Sequence, residues 1–516
     1  MAKTRPYLFY DVVISICSTC YRRVDAKTVF QDGNVYLLKR CPEHGHQKIL
    51  IADDIDYYRR CREVFIKPPE MPLVYNTPVQ WGCPYDCGLC TDHEQHSCLT
   101  LVEICDYCNL RCPVCYASSG PERQQFRDLR QIEKMLDAVV RNEGHPDVVQ
   151  LSGGEPTVHP NFFEIIELAK ARPIKHLMVN TNGVRIAQEE DFVKRLADVK
   201  EDFEVYLQFD SFEREPLLEL RGADLRRIRQ DALEKLNRYN ISTNLVVTLK
   251  KGLNDHEIGK TIDFALQQPC VRGVTFQPIQ DAGRLESWVA DASEQNCHPE
   301  RSTISGVAGN HAESKDLEVG SSRNGKFVRN FDPSTDRLTL TEVRRKILEQ
   351  TTVFRREDVI PVPCHPDSLA MAYALKLNGK VTPLTSMIPP EVLINGAANT
   401  ILYEQDPAVR DNLFKLFATN HSPQSSAGTL RELLCCLPKV FVPERLTYEN
   451  VFRVIIMQFL DAHSFDVRSV KKTCVHIVHP DGRLIPFDTY NLFYRDDLEQ
   501  TRLAPLRRTS AALAIA

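Results

Sequence analysis

Residues 105–115 read CDYCNLRCPVC, four cysteines in eleven residues, directly after the apolar run Leu99–Ile104. Cys108, Cys112 and Cys115 follow a three-then-two spacing. Three thiolates can hold three irons of a 4Fe–4S cluster and leave the fourth open. An open iron can chelate the amino and carboxylate groups of S-adenosylmethionine. One electron then splits the sulfonium and releases a 5′-deoxyadenosyl radical, chemistry that belongs to the cofactor. Tyr116 fits as an aromatic wall beside such a site. Cys105 falls where the strand ends and reads as a buried strand residue.

Two further groups carry sulfur. The stretch WGCPYDCGLCTDHEQHSC repeats the spacing as Cys83, Cys87 and Cys90, and Cys98 follows seven residues later. Four cysteines can close every corner of an auxiliary 4Fe–4S cluster. His93 and His96 are alternative fourth ligands, and a zinc site is the bland alternative. Nearer the start, Cys17 and Cys20 precede CPEH, which offers Cys41 and His44. Two such knuckles suit one tetrahedral ion, zinc or iron. A hairpin with its turn at Asp32-Gly33-Asn34 separates them.

The remaining composition limits the setting. The chain has 516 residues, 43% of them hydrophobic and 26% charged, which suits a multidomain globular protein. A net charge of −5 gives no nucleic-acid footprint. No apolar run is long enough to span a bilayer. The first residues carry no signal-peptide pattern, so a cytoplasmic protein is expected. Its 18 cysteines are then expected to bind metals rather than form disulfides.

Something must position the cysteines. Strand-like runs recur at Leu99–Ile104, Val148–Leu151, His176–Asn180, Val205–Phe209, Leu245–Leu249 and Gly273–Gln277. Helical faces lie between them. One is Leu129, Ile132, Leu136, Val139 and Val140 behind an N-cap at Asp128, and another is Leu225, Ile228, Ala232 and Leu236. Six β/α units predict a parallel sheet curled into a partial barrel, with chemistry on the loops leaving the strands' carboxyl ends. The second strand ends in QLSGGEP, where Gly153-Gly154 admits a ligand to the backbone, Glu155 offers a carboxylate and Pro156 stiffens the exit. The third, fourth and sixth strands end in VNTNG, LQFDS and TFQPIQ, each placing polar groups at the same mouth.

This ensemble, over Leu99–Gln280, resembles the radical SAM superfamily. The resemblance implies that Cys108, Cys112 and Cys115 hold the catalytic cluster and that Gly153, Gly154, Glu155 and Pro156 bind the methionine amino group. It implies that Asn180, Thr181, Asn182, Asp210 and Ser211 face the ribose and carboxylate, with Gln277 near the adenine. The flanks WGCPYDCGLC, CNLRCPVCYASSG, QLSGGEPTVHP and CVHIVHPDGRLIPF look like the tetraether lipid synthase group within it. That group joins the tail ends of two lipid chains. By this match Cys17, Cys20, Cys41 and His44 hold a lone metal, and Cys83, Cys87, Cys90 and Cys98 an auxiliary cluster. A membrane lipid substrate, a reductant of the ferredoxin or flavodoxin type and peripheral membrane contact follow as expectations. A radical SAM maturase acting on a peptide or small molecule is the alternative.

The expected division is a knuckle domain over 1–80, a cluster segment over 81–98, the barrel over 99–284, a flexible insertion over 285–332 and an α+β C-terminal domain over 333–516. The insertion is rich in Ser, Gly and Asn, and Cys297 within it is read as no ligand. In the C-terminal domain helices are expected at Leu340–Glu349 and Asn450–Ala462. Ser368 and Asp488 stand where the resembled group has cysteines, which leaves Cys364 and Cys474 without an evident cluster. Cys435 and Cys436 lie in an apolar run that reads as core.

Overall fold

A computed structural model describes residues 4–290, 325–377, 380–386, 390 and 450–515. Most of the insertion, with Cys297, and the run holding Cys435 and Cys436 lie outside them.

Four antiparallel strands open the chain: β1 (Leu8–Ile16), β2 (Arg23–Gln31), β3 (Asn34–Cys41) and β4 (Gly45–Ala52), paired in sequence order. The β2–β3 turn falls at Asp32 and Gly33, both with positive φ (52° and 79°). Gly33 takes that conformation without a Cβ penalty. Helix α1 (Ile55–Glu63) follows, capped by the Asp54 carboxylate.

Next comes the parallel series β5 (Leu99–Cys105), β6 (Val148–Gly153), β7 (His176–Thr181), β8 (Phe203–Gln208), β9 (Thr243–Leu249) and β10 (Val271–Pro278). Each strand pairs parallel with the next. The helices between them are α2 (Leu129–Glu143), α3 (Phe162–Lys170), α4 (Val184–Gln188), α5 (Glu190–Asp198), α6 (Arg214–Arg221), α7 (Arg226–Tyr239) and α8 (Ile258–Gln267). Asp128 caps α2 as expected, accepting the Gln131 N–H at 2.8 Å.

Period-2 alternation divides each strand between two cores. On β5, Val102 and Ile104 pack outward with Ile132, Leu136 and Val139 of α2. Leu99 and Leu101 point inward, into a second core shared with Met178, Tyr206, Val246 and the C-terminal region.

The C-terminal region extends this same sheet. Strands β11 (Leu369–Leu377), β12 (Val451–Met457), β13 (Val475–Val478) and β14 (Leu484–Pro486) flank the series. β12 pairs parallel with β10, and β13 pairs parallel with β5. β12 replaces the helix expected over Asn450–Ala462. The run VFRVIIM is rich in β-branched residues and Phe452–Met457 are buried on both faces, so its apolar pattern has no single period. The expected helix near Leu340 is present at Leu340–Gln350, closed by a Thr339/Glu342 capping box.

Buried charge ties β12 into the barrel. The Arg453 guanidinium on β12 donates to the Glu204 carboxylate on β8, and His176 at the start of β7 lies 3.7 Å from that carboxylate. The three lie 0–2% exposed near the amino ends of β7 and β8, the end opposite the cysteine loop.

Candidate active site at the barrel mouth

The loop leaving β5 carries Cys108, Cys112 and Cys115 to the carboxyl ends of the strands. All three line one cavity with Gly153, Gly154, Glu155, Asn180, Thr181 and Asn182. Cys108 and Cys112 are buried and Cys115 is partly open. Cys105 is fully buried at the end of β5, as its position suggested.

The glycine pair is required by close packing. A Cβ on Gly154 would lie 1.9 Å from the Tyr107 carbonyl oxygen, and one on Gly153 2.2 Å from the Cys105 carbonyl oxygen. The two residues therefore press the β6 exit directly against the cysteine loop. Glu155 is fully committed inside. Its carboxylate accepts from the Thr181 hydroxyl and the Asn182 N–H, both at 2.7 Å, and from Thr157. Burial raises the Glu155 pKa against those stabilising bonds. Glu155 thus braces the ends of β6 and β7 while lining the cavity. Asn182 Nδ2 donates to Asn109 Oδ1 at 2.7 Å, and Gln277 Nε2 donates to the Tyr206 hydroxyl at 3.1 Å.

Three expected contacts do not line this cavity. Pro156 is buried in a short 3₁₀ turn. Ser211 bonds Glu257. Asp210 is fully buried and holds Arg221, which donates to both carboxylate oxygens at 2.6 and 2.7 Å. Burial opposes the Asp210 charge, yet Arg221 and Arg229 hold its pKa below the usual value. A strand-end aspartate that faces a basic helix is drawn to the cation rather than to the pocket. Arg221 is one cavity residue that sequence reasoning missed. It ends α6, lines the cavity, donates also to Gln208 Oε1 and the Thr248 hydroxyl, and reaches the Cys112 thiol. No local motif marks it; only the fold brings it there.

The cavity also has a large apolar share. Leu99 and Leu101 meet Ile279, Met457, Phe459 and Phe487 there. The Phe459 and Phe487 rings stack at 3.9 Å, and Tyr116 packs against Phe487 at 5.1 Å.

The other groups sort by how tightly their ligand atoms converge. The Cys17, Cys20, Cys41 and His44 atoms all lie within 4.8 Å of one another, as one tetrahedral ion requires. Cys83 touches Cys87 and lies near Cys90, under Tyr494, whose hydroxyl accepts the Cys87 N–H at 2.9 Å. Cys98 departs from expectation. Its sulfur joins Cys364 and Cys474, all within 4.8 Å, rather than the group beginning at Cys83. Its position at the start of β5, which pairs with β13, turns it toward Cys474 instead. His93 is occupied by the Thr473 carbonyl and His476, and burial lowers its pKa to about 4. Among the described residues, the triplet at 108, 112 and 115 is not a group of this tight kind. Its wider spread fits thiolates that each take a different iron.

Residues 102–265 match the model of the radical SAM superfamily, and residues 9–53 match an HMPTM N-terminal zinc ribbon domain. This is a radical SAM enzyme. Along 96% of its length it is 28% identical to a 7,8-dihydro-6-hydroxymethylpterin dimethyltransferase of Methanocaldococcus jannaschii, covering 96% of that protein. It is 26% identical over 265 residues to a GTP 3′,8-cyclase of Chlorobaculum tepidum, which spans 48% of this chain and 76% of that one. It is 32% identical over 168 residues to the mycofactocin maturase of Mycobacterium ulcerans, 33% and 43% of the two chains. The radical SAM enzyme thus shares its barrel with several chemistries and its full length with the first of these relatives. No helix among the described residues is long and apolar enough to cross a membrane.

Proposed function

We propose that this radical SAM enzyme breaks one C–H bond on each of two membrane lipid tails and joins the two carbons. The observation that carries the reading is that Leu99, Leu101, Ile279, Met457, Phe459 and Phe487 line the same cavity as the three thiols. An alkyl tail offers no proton that an acid or base can remove, so a radical is the fitting reagent.

The donor set and the glycine cradle fit a 4Fe–4S cluster with S-adenosylmethionine. When bound, these supply a 5′-deoxyadenosyl radical after one-electron reduction. Cys108, Cys112 and Cys115 would hold the cluster. Gly153 and Gly154 would present backbone to the methionine end, and Arg221, fixed by Asp210, would offer its guanidinium to the carboxylate. Asn180, Asn182 and Gln277 would offer hydrogen bonds around the nucleoside. The apolar lining excludes water and so protects a radical from quenching. The Cys83, Cys87 and Cys90 group would hold an auxiliary cluster, and electrons would come from a ferredoxin- or flavodoxin-type protein. We place this work in the cytoplasm, with peripheral contact at the membrane that supplies the tails.

A second reading rests on the full-length relative named as a pterin dimethyltransferase. The stacked Phe459 and Phe487 rings offer a flat apolar face against which a heterocycle could lie. One experiment separates the two. Reconstituted protein, S-adenosylmethionine and a strong reductant are incubated with either lipid or reduced hydroxymethylpterin, and products are weighed by mass spectrometry. Lipid coupling yields twice the chain mass less two hydrogens. Methylated pterin with an unchanged lipid pool, while S-adenosylmethionine is being cleaved, overturns the lipid reading.

A further inference from the structure

The Cys98, Cys364 and Cys474 thiols come from three distant parts of the chain. Cys98 precedes β5, Cys364 lies in the loop before β11, and Cys474 immediately precedes β13. Each is 0–3% exposed. The Cys364 and Cys474 sulfurs are 3.2 Å apart, and all three lie within 4.8 Å of one another. The zinc ribbon shows the same convergence, with Cys20 and Cys41 sulfurs 3.9 Å apart. Thiolates around one tetrahedral ion, bonded at about 2.3 Å, must stand about 3.8 Å from each other. Thiolates of a four-iron cluster ride on separate irons and stand farther apart.

A candidate fourth donor stands beside Cys98, its nitrogens outside the 4.8 Å within which the three sulfurs all meet. His96 Nε2 lies 3.6 Å from the Cys98 sulfur, close to the 3.5 and 3.7 Å that separate His44 Nδ1 from Cys41 and Cys17 in the ribbon. The other ring nitrogen of His96, Nδ1, lies 2.9 Å from the Glu143 carboxylate, at the end of α2. A histidine whose one nitrogen donates to a carboxylate presents the other's lone pair outward, as metal-bound histidines do. Glu143 also accepts the Ser97 N–H at 3.1 Å, which fixes the segment between His96 and Cys98. Glu70 stands 3.9 Å from His96 Nε2, on the more exposed side.

We propose that Cys98, Cys364 and Cys474 hold one divalent ion, zinc or iron(II), and that His96 closes on it as the fourth ligand of a tetrahedral site, with Glu143 positioning the histidine. Four protein donors leave no open coordination position, so the site is structural. It pins the segment after the Cys83–Cys90 group to two parts of the C-terminal region. Each thiol releases its proton to the solvent as the ion binds, while His96 Nε2 gives its lone pair.

The test uses the full chain, purified without oxygen, with zinc, iron and acid-labile sulfide measured together. Cys364→Ala and His96→Ala should each lose about one metal ion per chain with sulfide unchanged. His96→Cys should keep the ion, since four thiolates suit the same geometry. Should Cys364→Ala fail to fold, the His96 pair decides alone. Joint loss of iron and sulfide in equal amounts would show a cluster and overturn the proposal. Unchanged metal in both alanine variants would overturn it too, showing buried thiols without an ion.

Discussion

Cys83, Cys87 and Cys90 share the spacing of Cys108, Cys112 and Cys115, yet the two motifs occupy unlike surroundings. The second leaves the carboxyl end of a barrel strand, faces a cavity and meets a glycine pair, an arginine and strand-end amides. The first is packed under Tyr494 and Tyr85, and it lines no part of that cavity. Spacing alone identifies a cluster-binding loop. What the loop opens onto decides whether it can bind a second molecule.

The largest expected effect breaks the comparison at its reactive half. Cys112→Ala should abolish 5′-deoxyadenosine formation and lower iron by about one four-iron cluster per chain. Chromatography of the nucleoside and iron analysis check both. Persistent cleavage of S-adenosylmethionine would mean the wrong motif has been called reactive. Cys87→Ala should act differently, keeping most of the cleavage while losing product. Equal loss of both would erase the distinction between the motifs.

A glycine in each motif's surroundings sharpens the contrast. A Cβ on Gly154 would meet a backbone oxygen at 1.9 Å, which cannot move without the cysteine loop. A Cβ on Gly88, between Cys87 and Cys90, would meet the Thr77 side-chain hydroxyl at 2.0 Å, which can rotate, although its φ of +152° still favours glycine. Gly154→Ala should therefore weaken S-adenosylmethionine binding by about 100-fold, on the order of 3 kcal/mol. Gly88→Ala should cost about 1–3 kcal/mol of stability and little S-adenosylmethionine affinity. Equilibrium binding and thermal unfolding of both variants measure the two effects. A Gly88→Ala protein that binds S-adenosylmethionine as poorly as Gly154→Ala would couple the sites more tightly than the fold suggests.

The barrel was legible because its strands and helices repeat a local pattern. All six strand runs occur within two residues of where their apolar residues placed them, and Asp128 caps α2. That Cys108, Cys112 and Cys115 share one cavity with Gly153–Glu155 was legible for the same reason, each group being contiguous. Arg221, Met457 and Phe487 were not. They reach the cavity from a helix end and from strands and turns more than 200 residues beyond the cysteine loop, and no local rule encodes such a meeting. Cys98 was misassigned because neighbours in sequence were taken as neighbours in space, whereas β5–β13 pairing carries it to Cys474. The β12 strand read as a helix because a strand buried on both faces has no alternation to betray it.

The smallest effect concerns Asp488. Its carboxylate accepts the Leu460 N–H at 2.5 Å and the Thr473 hydroxyl at 3.1 Å, so it braces backbone beside Cys474. Burial pushes its pKa up to about 6, against the pull of those two bonds. An unfolded aspartate titrates near about 3.9. A folded pKa above the unfolded one stabilises the fold fully below about pH 4, and that stabilisation is lost as pH rises through about 6. Ionised Asp488 is thus a burden at neutral pH. Asp488→Asn removes the charge and keeps a carbonyl oxygen for Leu460. Its stability relative to the parent should rise between pH 5 and 7, by on the order of 1–2 kcal/mol, after discounting the altered Thr473 bond. Thermal midpoints of both proteins across pH 5–8 read this directly. A difference that stays flat across that window would show that the carboxylate carries its charge without penalty. The residue would then be a ligand or ion-pair partner rather than a neutral brace.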